Sequence, residues 1–140
     1  MRFPRIINQQ NLTAAVAATL LAGMSPVQVH AAGPASISGN WSGTGTVKLK
    51  SGNQERVTCR VKYGRIAGQE FSLNAKCATG STRVDQLGEL KRVSANRYVG
   101  EVQNVQFGVQ ARVTIVVSGQ NQSVSITSDQ GSASLRLRRR

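Results

Sequence analysis

Residues 55–63 read ERVTCRVKY, and residues 70–77 read EFSLNAKC. Both alternate with period two, the signature of a strand with one buried face. In the first, Val57, Cys59, Val61 and Tyr63 share a face, while Arg56, Thr58, Arg60 and Lys62 share its opposite. In the second, Phe71, Leu73, Ala75 and Cys77 point inward, while Glu70, Ser72, Asn74 and Lys76 point outward. If Cys59 is set against Cys77, Val61 meets Ala75 and Tyr63 meets Leu73. Every inward residue then faces another, and the two sulfurs fall within bonding reach. The stretch is therefore predicted to be a hairpin, with a loop over residues 64–68.

The pattern extends in both directions. Upstream, Trp41, Gly43, Gly45, Val47 and Leu49 share the inner face, Ser42, Thr44, Thr46, Lys48 and Lys50 share the outer one, and Ser51-Gly52-Asn53 reads as a turn. Downstream, residues 82–93 suit a strand with a bulge at Gly88 better than a short helix, and residues 97–102 suit a short strand. The strongest alternation runs from Phe107 through Val109, Ala111, Val113, Ile115 and Val117. Val124 and Ile126 belong to a further strand. Ala133, Leu135 and Leu137 mark the last, with Arg136 and Arg138 on its outside. Turn signals recur about every 8–12 residues, and no Pro follows Pro34 to interrupt a strand. The expected fold is all-β: a small antiparallel up-and-down barrel of about eight strands, or a sandwich, with one disulfide. A run of hairpins that closes on itself removes exposed edges.

The start of the chain reads as an address. Arg2 and Arg5 precede the uncharged apolar run LTAAVAATLLAGM over residues 12–24, and Val29-His30-Ala31 offers small residues at a cleavage site. The run is too short to span a membrane as a helix, which takes about 20 apolar residues. Residues 1–31 are thus expected to be a cleavable signal peptide, residues 32–38 a flexible lead-in, and residues 39–140 a single barrel domain in the periplasm or secreted. No Cys lies near the cut, so no lipoprotein is expected.

Cleavage changes the chemistry. It removes His30, the only histidine, and with it any His base, His ligand or Ser-His and Cys-His pair. Cys59 and Cys77, the only cysteines, should pair in an oxidising compartment. Closing a loop of this length should stabilise the fold by about 3 kcal/mol. The spacing is not C-x-x-C, and two thiolates cannot complete a zinc site, so neither redox catalysis nor metal binding is expected. The carboxylates Glu55, Glu70, Asp85, Glu89, Glu101 and Asp129 are scattered, which points to a protein without enzymatic activity and without a cofactor.

Several stretches carry a resemblance: GNWSGTG (39–45), ERVTCRVKYG (55–64), Cys77-Ala78, NRYVGEVQN (96–104) and GSASLRLR (131–138). The chain is similar in these to small exported proteins of unknown role from rhizobial and other alphaproteobacteria. Gly39-Asn40-Trp41 also resembles the G-x-W that opens calycin barrels such as lipocalins and avidins. That likeness implies that Trp41 plugs one barrel end, with Arg136 as a partner to stack on it. Bacterial metalloprotease inhibitors share the architecture, which makes a protease inhibitor an alternative, with residues 32–38 entering the protease cleft.

Charge supplies the main functional hint. The chain holds 18 Lys and Arg against six Asp and Glu. By parity Lys48, Lys50, Arg56, Arg60, Lys62 and Lys76 lie on the outer face of three successive strands, and Arg136 and Arg138 join them if the barrel closes. Such a face attracts anions. Export and the few outward aromatics argue against nucleic acid. The leading expectation is a monomer whose basic face binds an anionic envelope polymer or an acidic protein, with peripheral membrane contact but no transmembrane segment. Inward Gly43, Gly45, Ala75, Gly100 and Ala111 leave room for a third reading, a barrel holding a small apolar ligand. Because an eight-stranded barrel is just wide enough for its own side chains, a filled core is the favoured expectation.

Overall fold

The computed structural model describes residues 23, 25, 26 and 36–140. Apart from those three isolated positions, residues 1–31, where a signal peptide is expected, lie outside the described residues, as do residues 32–35 of the expected lead-in. Eight strands follow: β1 (Gly39–Leu49), β2 (Gln54–Ala67), β3 (Glu70–Ala78), β4 (Arg83–Arg92), β5 (Arg97–Asn104), β6 (Gln110–Ser118), β7 (Asn121–Ser128) and β8 (Gly131–Arg139). Each pairs antiparallel with the next, and β8 pairs with β1, so the sheet is a closed up-and-down barrel. Closure leaves no strand edge unpaired.

The register of the β2–β3 hairpin follows the inward pattern: Cys59 opposes Cys77, Val61 opposes Ala75, and Tyr63 opposes Leu73. The cysteines form a disulfide with their Cα atoms 4.1 Å apart, inside the barrel.

Inward side chains of unequal size divide the interior into two halves. At one end Trp41, Tyr63, Phe71, Tyr98, Ile115 and Leu137 are all buried and fill the lumen. The Phe71 and Tyr98 rings meet edge to face at 5.3 Å, a favourable arrangement for their quadrupoles. Trp41 is fully buried, and its indole N–H donates to the Ile37 carbonyl at 2.8 Å. Ile37 is buried as well, and the Arg139 guanidinium donates to the carbonyls of Ser38 and Ser36 at 2.8 and 2.6 Å. Residues 36–38, expected to be part of a flexible lead-in, are therefore held against the barrel floor.

Two glycine sites set the cross-section. A Cβ on Gly43 would stand 1.9 Å from the Arg136 carbonyl oxygen, and one on Gly100 would stand 2.0 Å from that of Glu89. Only glycine lets neighbouring backbones come this close. β1 and β5 lie four strands apart in the ring, so the two close approaches are on opposite sides. Gly43 and Gly100 were candidates for leaving a pocket; the space beside them is taken by the backbone of the next strand.

Four sequence expectations are corrected. Pairing runs one-to-one through Gly88, with Leu73 on one side and Val102 on the other; the irregularity lies in β2, between Arg65 and Ala67. β2 itself continues through Gly64 to Ala67, where a loop was expected. Phe107 does not begin β6. The Asn104 side-chain oxygen accepts the N–H groups of Gln106 and Phe107, both at 3.0 Å, and Gly108 has φ +65°, so a turn overrides the alternation and leaves Phe107 65% exposed. Lys50 falls in the β1–β2 turn rather than on the outer face of β1.

The strands run 8–14 residues. Arg60, Lys62, Lys76, Glu89, Glu101 and Arg112 are all exposed on the barrel wall, where lipid would penalise them. No helix among the described residues is long and apolar enough to cross a membrane.

Candidate functional site

β1, β3, β5 and β7 run from the filled end towards the opposite mouth, and β2, β4, β6 and β8 run back. Near that mouth the inward positions hold smaller side chains: Val47 on β1, Val57 on β2, Val84 on β4, Ala111 on β6, Ile126 on β7 and Ala133 on β8. Valine and alanine cannot reach across a lumen that Trp41 and the tyrosines fill lower down. The result is an open cavity of about 370 Å³. Buried Val102 and Leu135 reach it from the core side, and the Cys59–Cys77 bridge forms part of its wall. A filled core was the favoured expectation, and here it is corrected: only one half of the barrel is filled. Of the small inward residues singled out, Ala111 alone lines the cavity.

The rim is polar. Thr79, Ser81 and Thr82 come from the β3–β4 connection, Asn104 from the end of β5, Ser128 from the end of β7 and Gln130 from the β7–β8 turn, while Gln86 takes the next inward position of β4 below Val84. Phe107 adds an exposed aromatic ring at the edge. Among the lining residues Glu55 is the only one with an ionisable side chain, apart from the bridged cysteines, and no Lys or Arg is present. Glu55 shares the inward parity of Val57 and Cys59, and the Ser81 hydroxyl reaches its two oxygens at 2.9 and 3.1 Å. The β3–β4 turn that carries Ser81 is tied in turn to Thr79, whose hydroxyl accepts the Ser81 and Thr82 N–H groups at 3.3 and 3.2 Å.

The floor is also polar in places. The Tyr63 hydroxyl donates to the Gln122 side-chain oxygen at 2.7 Å, and burial pushes the phenol well above its ordinary pKa. The Tyr98 hydroxyl and the Gln122 side-chain nitrogen are buried without a protein partner.

The basic residues stand on the outside, apart from the cavity. Arg138 opposes Ser42, Ser42 opposes Arg60, and Arg60 opposes Lys76, so β8, β1, β2 and β3 carry one lateral row. Arg136 lies opposite Thr44, and Lys62 opposite Asn40 and Asn74, one step along the strands on either side of that row. Arg56 and Lys48, opposite Thr46 and Gln54, sit nearer the mouth, and Lys50 is in the turn beyond. Asp85, opposite Lys76, ends the row. Arg136 therefore does not stack on Trp41. Arg139, which shares the inward parity of Leu135 and Leu137, does so at 4.4 Å from the ring centroid.

Sequence reasoning missed two parts of the site. Glu55 was counted among scattered carboxylates although its parity already placed it inside. The cavity itself depends on side-chain sizes summed around eight strands, which no single strand reveals.

No protein-family model matches the chain, and no curated protein matches it. Solved structures do. The chain is similar to a de novo designed fluorescence-activating β-barrel, at 21% identity and TM-score 0.58, over 74% of this chain and 93% of that one. It is also similar to the redesigned β-barrel mFAP1 bound to DFHBI, at 12% identity and TM-score 0.63, over 73% of this chain and 94% of that one. These likenesses define the fold class: a small, closed, eight-stranded antiparallel barrel.

Proposed function

We propose that this protein binds one small, largely apolar ligand in the open half of its barrel, without catalysing a reaction. The observation that carries the reading is the cavity of about 370 Å³, apolar in its wall and polar at its rim. Binding sites for small molecules have this composition and begin at about 300 Å³, and an eight-stranded barrel is wide enough for one such ligand. The redesigned barrel of similar fold is bound to DFHBI, which supports the reading by analogy. The internal disulfide, with the export signal expected in residues 1–31, suits a ligand carrier in the periplasm or outside the cell. Titration with the neutral dye Nile red tests the proposal. Saturable binding of one dye per chain is expected, and Ala111→Trp, which fills the cavity, should abolish it. Binding that never saturates, or that survives in a folded Ala111→Trp variant, would overturn it.

A second reading concerns the outer wall. Arg60 and Lys76 oppose each other directly, a like-charge pairing that costs stability in a sheet and that a bound anion would relieve. An anionic envelope polymer or an acidic protein would suit Arg60, Lys76, Arg138, Arg136 and Lys62. Replacing Arg56, Arg60 and Lys62 by Glu should abolish binding to lipopolysaccharide vesicles; unchanged binding would end this reading.

A further inference from the structure

The charge inside the cavity is opposite to the charge of the chain. Lys and Arg outnumber Asp and Glu three to one, yet the only ionisable side chain lining the cavity, the bridged cysteines aside, belongs to Glu55. Every basic residue on β1, β2 and β3 within reach of the mouth, Lys48, Arg56 and Lys76 among them, has outward parity and is exposed. We propose that the cavity selects ligands with an apolar body and a cationic amine head, the head seated on Glu55. The inference rests on the ligand-binding reading above and names the chemistry of its ligand.

Three features support it. A carboxylate offers about four acceptor sites, and the single Ser81 proton occupies only one of them at a time. The rest can take the N–H donors of an ammonium group, which has three and accepts none. Ser81 and the β3–β4 turn hold the carboxylate in place before a ligand arrives, so little ordering remains to be done on binding. Finally, the apolar wall lowers the local dielectric, which strengthens attraction for an opposite charge and repulsion of a like one. A fatty-acid carboxylate would meet Glu55 head on, whereas an amine of the same length would form a charge-assisted hydrogen bond with it. The barrel's overall positive field would steer anions towards it at long range, so a preference for cations can only come from the group inside.

The test uses three eight-carbon ligands that differ only at the head, octylamine, 1-octanol and octanoate, each displacing Nile red at pH 7. Wild type should bind octylamine about tenfold more tightly than octanoate, with octanol between them. Glu55→Gln keeps the shape and the hydrogen-bonding oxygen but removes the charge, and should bring the three to within about threefold of one another. Glu89→Gln makes the same change in net charge on the exposed outer wall, and should leave the wild-type order intact. Equal affinities in wild type, or an order that survives in Glu55→Gln, would overturn the amine preference while leaving the cavity reading standing. Failure of Nile red and all three ligands to bind would overturn both.

Discussion

The Arg139 guanidinium lies 4.4 Å from the centroid of the Trp41 ring, and its N–H groups hold the segment that leads into β1 through the carbonyls of Ser38 and Ser36. One side chain from the last strand thus clamps the first strand and its approach. A cation–π contact of this kind and two charge-assisted hydrogen bonds, partly exposed, should together contribute about 2 kcal/mol. Arg139→Ala should lower the urea midpoint accordingly, and Arg139→Lys should recover only part of the loss because an ammonium cannot both stack and fork. A double-mutant cycle with Trp41→Phe measures the coupling directly; additive losses would show that the two residues act independently.

The two floor tyrosines should respond differently to loss of their hydroxyls. Tyr63→Phe leaves the Gln122 oxygen buried and unpaired, at a cost of about 1–3 kcal/mol. Tyr98→Phe removes a hydroxyl that has no protein partner, and should be neutral or slightly stabilising. Chemical denaturation of the two variants side by side decides the matter.

Tyr63 also predicts how stability changes at alkaline pH. Burial raises its folded-state pKa, whereas the unfolded phenol ionises near pH 10. The unfolded state therefore loses its proton first. This contribution is intact below about pH 10 and declines by up to about 1.4 kcal/mol per pH unit above it. The difference in stability between wild type and Tyr63→Phe should narrow over that window. A constant difference from pH 8 to pH 11 would contradict the assignment.

At Gly43 and Gly100 an added methyl meets backbone carbonyls that cannot move aside. Gly43→Ala and Gly100→Ala should each cost about 3 kcal/mol or more. Gly80→Ala adds its methyl to open space at an ordinary φ, and should leave the thermal midpoint within about two degrees of wild type.

Phe107 separates binding from stability. It is exposed in the free barrel and borders the mouth, so Phe107→Ala should change stability by less than about 0.5 kcal/mol. It should nevertheless weaken Nile red binding several-fold, as read by fluorescence titration. Undiminished binding would place the dye deeper than the rim.

How much of this was legible in the sequence depended on how local the controlling physics is. The β2–β3 hairpin was readable because alternation and cysteine pairing each fix its register, and they agree at Cys59–Cys77, Val61–Ala75 and Tyr63–Leu73. Phe107 misled because it continued a perfect alternation, while the Asn104 side chain and Gly108, outside that alternation, set the turn. Arg136 was the wrong partner for Trp41 by parity, since only odd-numbered positions of β8 face inward, and Arg139 is the next one after Leu137. Glu55 was legible on the same parity argument. The cavity was not, because it arises from a layer of valines and alanines contributed by several strands.

β1 begins and β8 ends at the filled end of the barrel, with Arg140 hydrogen-bonded through its N–H to the Asn40 carbonyl. The polypeptide enters and leaves the barrel through its base, as a cup is held by its foot. Anything attached beyond Arg140, whether an affinity tag, a sensor surface or a second protein, would hang below the cup and leave the rim unobstructed. Ligand uptake could then be followed on an immobilised sample without the anchor competing for the mouth.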